Sequence, residues 1–110
     1  MILRVWTVGL ALAKAAELEV FANEFSLPMF RAQPGCLAVL FTRTETECAT
    51  VTVWDSERSV EVMEASFIYQ QVVSQIEESG ILGEDHQTRV FSVYGGFVSA
   101  DLPRLLSAGG

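Results

Sequence analysis

A chain of 110 residues with no internal linker fits one domain and one core. Half of its residues are hydrophobic, its mean hydropathy is +0.33, and fourteen acidic against seven basic side chains give a formal charge of −7. Without a cluster of Lys and Arg, nucleic-acid binding is disfavoured, and no apolar run reaches the roughly 18 residues of a membrane span.

The acidity reads as a solubility device. The apolar surplus is high for so small a chain and predicts a surface covered by a partner rather than by water.

Ile2 to Val8, rich in β-branched and aromatic residues, predicts a first strand that Gly9 ends. Side chains alternate along a strand, so Arg4 and Trp6 share one face. The stretch from Arg4 through Val5 to Ala13 also imitates a short secretory signal. The strand reading is preferred, because cleavage after Ala13 would remove the first strand.

From Ala13 the period changes to that of a helix: Ala15, Leu18, Ala22, Phe25 and Met29 form a buried stripe, with Lys14, Glu17 and Glu24 mostly off it. Pro28 should interrupt this helix, leaving Met29 to Ala32 as a separate turn, and Gln33-Pro34-Gly35 ends it.

Cys36 to Thr42 is apolar at six successive positions, the pattern of a strand covered on both faces. Arg43 to Glu47 supplies a polar turn, and Ala49 to Trp54 returns as the second arm of an antiparallel hairpin. That pairing sets Cys36 near Asp55 and Cys48 near Arg43, so the two cysteines are read as separate reduced thiols of a cytoplasmic protein.

Asp55-Ser56 offers a helix cap, and the helical pattern from Glu57 to Ser79 predicts one long helix or two pieces bent near Ser66, closed by Gly80. Ile81 to Thr88 reads as a polar loop carrying His86, and Arg89 to Phe97 as the last strand, with Gly95-Gly96 a bulge or strand end. Residues 98–110 form a tail, docked on a partner or frayed, beyond a domain spanning residues 1–97.

The order strand, helix, strand, strand, helix, strand predicts an α+β, ferredoxin-like βαββαβ domain with a four-stranded antiparallel sheet. Both helices then fall on one side. The other side lacks a cover, and a second copy of the chain is the economical one, making a homodimer through the sheet face, a dimeric α+β barrel.

Gly35 to Phe41, then Val51-Thr52-Val53-Trp54-Asp55-Ser56, then Ser66, Tyr69, Val72 and Ser79 to Leu82 resemble the antibiotic biosynthesis monooxygenase-like proteins of the dimeric α+β barrel superfamily. The likeness covers residues 1–97, and its most specific part is the strand ending in Trp-Asp-Ser and running straight into a helix. The resemblance implies the same fold, a dimer, and a pocket between sheet and helices. Some members oxygenate polycyclic aromatic or quinol substrates without metal or flavin. The haem-degrading branch pairs the third-strand Trp with an Asn on the first strand and a His on the following helix. This chain has Trp54 but no Asn in Ile2 to Val8 and no His in Glu57 to Ser79, which speaks against haem degradation.

The candidate residues follow. Trp54 either lines a pocket or fills the core. Arg4 either meets a substrate oxygen or reaches solvent or a dimer partner, and Trp6 lies beside it as a further substrate-binding candidate. Asn23 either bonds into a cavity or stays exposed. Tyr69, and less so Tyr94, offers a phenol that orients a substrate or merely sits at the core margin. His86 is the only histidine and the only side chain whose ordinary pKa suits proton transfer near neutrality.

No Ser-His-Asp set, metal-ligand spacing, phosphate loop or useful carboxylate pair is visible, and no cofactor or metal is expected. Two readings stand. In one, a cofactor-independent monooxygenase holds a small aromatic or quinol with Trp54, Tyr69, Trp6 and Asn23, while Arg4 and His86 serve the chemistry. In the other, a non-catalytic dimer binds a small apolar ligand or acts as a stress-related accessory protein.

Overall fold

The computed structural model describes residues 1–108. It has four strands, β1 (Ile2–Leu10), β2 (Cys36–Arg43), β3 (Glu47–Trp54) and β4 (Leu82–Ser92), in the antiparallel order β2-β3-β1-β4. The helices are α1 (Ala15–Phe21), α2 (Leu27–Arg31), α3 (Glu57–Ala65), α4 (Phe67–Ser79) and α5 (Leu102–Ser107). This is the expected ferredoxin-like α+β arrangement, in which the first strand lies between the third and the fourth.

Register fixes which residues meet the helices. Arg4, Trp6 and Val8 of β1 stand opposite Thr52, Thr50 and Cys48 of β3 and Val90, Thr88 and His86 of β4. Because the side-chain period is two, this row forms one face. The burial of β3 alternates accordingly, with Cys48, Thr50, Thr52 and Trp54 covered. Two core clusters lie beneath the helices. One joins Val8, Leu10 and Cys48 to Leu18, Phe21 and Ile76, and the other joins Trp54 to Met29, Phe30, Val60 and Met63.

The helical caps follow the sequence closely. Ser56 accepts a hydrogen bond from the Ser59 amide at 3.2 Å and opens α3. Ser66, in an extended conformation, ends α3 and opens α4, accepting from the Tyr69 amide at 3.3 Å. Gly80 closes α4 at φ 72°, the left-handed position that glycine occupies without steric cost.

Several expectations are corrected. Pro28 does not break the first helical region. A π-helical turn over Ala22–Ser26 precedes it, and the Leu27 amide reaches back to the Ala22 carbonyl, so the chain absorbs the proline at the start of α2. The extra residue in that turn shifts the phase: Phe21 and Phe30 are buried, whereas Phe25, assigned to the buried stripe, is 47% exposed. β1 runs on past Gly9 to Leu10, with a register shift against β4 between Val8 and Leu10.

The last strand begins at Leu82 and ends at Ser92, seven residues earlier than its expected start at Arg89. Its polar sequence disguised it, because an edge strand with an open face carries no apolar signature. Tyr94 and Phe97 therefore fall outside the sheet and are fully or nearly fully exposed. β2 lies at the other edge; Cys36, Val39 and Phe41 pack against the cluster around Trp54, no residue of the strand is fully buried, and Leu37, at a register shift, is 59% exposed.

Gly35 enters β2 at φ 84°, and a Cβ there would collide with Ser59 Oγ and Asp55 Oδ1. Those two atoms are hydrogen-bonded to each other at 2.6 Å, and with Ser56 this bond holds the Asp55 carboxyl below its usual range. Gly35→Ala is expected to cost about 2 kcal/mol, from backbone strain and steric overlap. A urea titration checks this by a lower midpoint at unchanged slope.

Candidate functional site

Two adjoining chambers lie between the sheet and the helices. The smaller one, named inner for its place against the helical core although it is as open as the other, is about 130 Å³ and mostly apolar, with Leu18, Ala22, Met29, Phe30, Phe41 and Val72 among its walls. The outer one, about 530 Å³, opens between β1, β4 and α4 and carries Glu64, Glu77, Glu84 and His86. Arg4, Trp6, Tyr69, Val73 and Ile76 line both.

Arg4 dominates the shared wall. It sits on a central strand, is 2% exposed, and must hold its charge there because a guanidinium does not deprotonate. Its Nε and Nη2 both donate to Glu64 Oε2, at 3.3 and 3.2 Å, and Nη2 also donates to the Tyr69 hydroxyl at 3.1 Å. The guanidinium carbon lies 5.7 Å from the Tyr69 ring centroid. Glu64 is 43% exposed at its side chain, so one charge of this pair is dry and the other wet.

The fold makes this contact possible through Ser66. By breaking the helix between Glu64 and Tyr69, it lets one side chain come from the end of α3 and the other from the first turns of α4. Gln33 Nε2 donates to Ser66 Oγ at 3.3 Å and ties the junction to the segment before β2. The π-helical turn contributes Ala22 and Ser26 to the inner wall, and Glu19 and Arg43, ion-paired at 3.5 Å, stand on the same wall. Cys48 also lines it, its thiol pushed up by burial, with Glu47 adding and Thr50 opposing. That thiol is a neutral wall rather than a nucleophile.

Of the residues singled out in the sequence, the structure brings Arg4, Trp6 and Tyr69 together on the wall between the chambers. Trp54 is elsewhere. It is 0% exposed, donates from Nε1 to Thr52 Oγ1 at 2.7 Å and packs edge-on to Phe30, so it fills the core and lines neither chamber. Asn23 is exposed on the helix and donates to the Glu19 carbonyl at 2.8 Å, away from both chambers.

His86 lies on β4 opposite Val8, not on a loop, and has no loop to fold over a pocket. Its ring is 6.2 Å from that of Trp6, on the outer chamber only. Tyr94 is outside the site. Glu64 was missed, and nothing in the sequence links a glutamate at a helix end to an arginine 60 residues earlier.

No family model matches the sequence, and no curated protein matches it. Solved structures do. A putative antibiotic biosynthesis monooxygenase from Caulobacter crescentus CB15 superposes with a TM-score of 0.73 at 18% identity, over 86% of this chain and 90% of that one. The monooxygenase ActVA-Orf6 of Streptomyces coelicolor, in complex with nanaomycin D, gives 0.72 at 16% identity, over 90% and 92%. SnoaB, a cofactor-independent oxygenase from Streptomyces nogalater, gives 0.70 at 15% identity, over 89% and 97%. The chain thus has the fold of the antibiotic biosynthesis monooxygenase-like proteins, as its sequence resemblance implied.

The wet and dry ends of the Arg4–Glu64 pair predict an inverted order of mutational cost. Glu64→Ala strands a buried cation and should cost about 1–2 kcal/mol, whereas Arg4→Met removes that charge and fills its space with apolar atoms, at under about 1 kcal/mol. Thermal unfolding of the two variants, measured side by side, checks the order.

Proposed function

We propose that this chain is a cofactor-independent monooxygenase of a small aromatic or quinol substrate, bound between the sheet and the helices. The carrying observation is a buried guanidinium on the wall of an apolar chamber, beside a phenol and an indole. The likeness to ActVA-Orf6 and SnoaB supports the reaction class.

In such chemistry the substrate supplies the electrons. Removal of a proton gives an electron-rich anion that reduces dioxygen directly. For an activated methylene, one oxygen atom becomes the new carbonyl and the other leaves as water with the two hydrogens. The protein has to exclude water, orient the ring and stabilise the anion. Here Trp6 and Tyr69 flank the ring, and Arg4 is the fixed positive charge that favours the anion. His86 borders only the outer chamber, where it can exchange protons with solvent.

The working unit of this proposal is a homodimer. On the sheet face opposite the Arg4 row, Leu3, Val5, Leu40, Val51 and Val53 are half-buried, belong to neither core cluster and form an apolar surface. Tyr94, Phe97, Val98, Leu105 and Leu106 are exposed on the segment after β4 and offer a second apolar strip. Of the tail at 98–110, the described residues 98–108 are taken to dock on the partner, with residues 1–97 as the domain; Gly109 and Gly110 lie outside the described residues. Among the described residues no helix is long and apolar enough to cross a membrane, and the unpaired Cys36 and Cys48 suit the reducing cytoplasm.

Oxygen uptake should appear with some member of a panel of hydroquinones and anthrones, and Arg4→Met should lower kcat/KM about 100-fold, the usual loss for one anion-stabilising donor. A protein stabilised by these aromatics that consumes no oxygen would instead be a binding module. In sedimentation, the chain should run at twice its monomer mass, and Val51→Arg, which sets a charge in the middle of the apolar face, should return it to one.

A further inference from the structure

The Arg4–Glu64 pair is incomplete in a specific way. An arginine and a carboxylate usually meet through two parallel bonds, each oxygen taking one donor. Here both donors converge on Glu64 Oε2. That leaves Glu64 Oε1 and Arg4 Nη1 without a hydrogen-bond partner among the described residues. No fully buried side-chain nitrogen or oxygen lacks a partner among the described residues, so Nη1 keeps a little accessible surface, on a residue that is 2% exposed and lines both chambers.

An unused donor and an unused acceptor on one ion pair match a group that both accepts and donates. A hydroxyl does so through one atom. A carboxylate offers only acceptors. It would satisfy Nη1 but set a second negative charge against Glu64, with Glu77 and Glu84 on the same outer chamber. An apolar group would leave the donor bare. Size narrows the choice further: the inner chamber, about 130 Å³ and partly open, is close in volume to an enclosed apolar cavity of about 150 Å³ that admits benzene, so it suits one ring rather than a fused pair.

We infer that Arg4 and Glu64 form a donor–acceptor clamp for the un-ionised hydroxyl of a single-ring phenol, with Glu64 as the residue that selects hydroxyl over carboxylate. The ring occupies the inner chamber and the hydroxyl sits at the shared wall, its oxygen accepting from Nη1 and its proton donated to Oε1. This deepens the proposed function, resting on the same site, but concerns recognition alone and holds whether or not turnover follows.

The test uses three matched probes, p-cresol, p-toluate and toluene, titrated calorimetrically into the full-length protein. Wild type should bind p-cresol at least about 10-fold more tightly than either of the others, the worth of one charge-assisted hydrogen bond. Glu64 is half in water and glutamine keeps its shape, so Glu64→Gln should fold. Its amide oxygen still accepts from a hydroxyl, but the negative charge is gone. This variant should change p-cresol affinity less than about 3-fold and raise p-toluate affinity at least about 10-fold. Arg4→Met should erase the preference of p-cresol over toluene.

The inference is overturned if wild type binds p-toluate as well as p-cresol, or if Glu64→Gln leaves their ratio unchanged. Selective p-cresol binding with no oxygen uptake from any quinol would keep the clamp and remove the oxygenase reading. Oxygen uptake with an unaltered ratio would do the reverse.

Discussion

A positive charge that cannot be discharged sits on a central strand, under the helices, and the rest of the site is arranged around it. Taking a guanidinium out of water costs several kcal/mol unless its donors are met. The guanidinium of Arg4 is met by Glu64 and Tyr69, which come from two consecutive helices. A continuous helix would have advanced the chain by five residues between them and turned the two side chains to different faces. Ser66 breaks that continuity with an extended backbone and caps both pieces at once, accepting from the Tyr69 amide and donating to the Met63 carbonyl. The helix break is thus part of how the buried charge is held.

The same constraint explains why there is space in the fold. Apolar cores close to crystal-like density, and voids cost contacts. Around Arg4 the wall carries hydrogen-bonded polar groups, and the π-helical turn at Ala22–Ser26 sets Ala22 and Ser26 on the same inner wall. Beyond these walls the cluster around Trp54 is tight: Trp54 and Met63 are without exposure. Rigid packing under α3 and α2 therefore frames a looser region between α4 and the sheet, which is the condition for a preorganised ligand site.

How far the site was legible depended on whether a residue's role was local. Gly80, Ser56 and the bend at Ser66 act within a few residues of themselves, and the spacing in the sequence showed all three. Arg4, Trp6 and Tyr69 were legible as types suited to a ligand. Trp54 was not, since a tryptophan at a strand end carries no mark of whether it faces a chamber or the cluster of Phe30, Met63 and Val60. His86 was misplaced with its strand, because β4 earns its pairing from the backbone of β1 rather than from apolar side chains of its own. Glu64 was illegible altogether.

By itself, the sequence determined the order of elements, the antiparallel hairpin, the caps and the surplus of apolar surface, since periodicity and turn chemistry are properties of neighbouring residues. Only the tertiary structure decided which polar groups share a wall, where the last strand lies, and that Pro28 is absorbed rather than obeyed. Those outcomes depend on contacts between residues tens of positions apart, where a buried charge or an edge strand's hydrogen bonds outweigh local propensity.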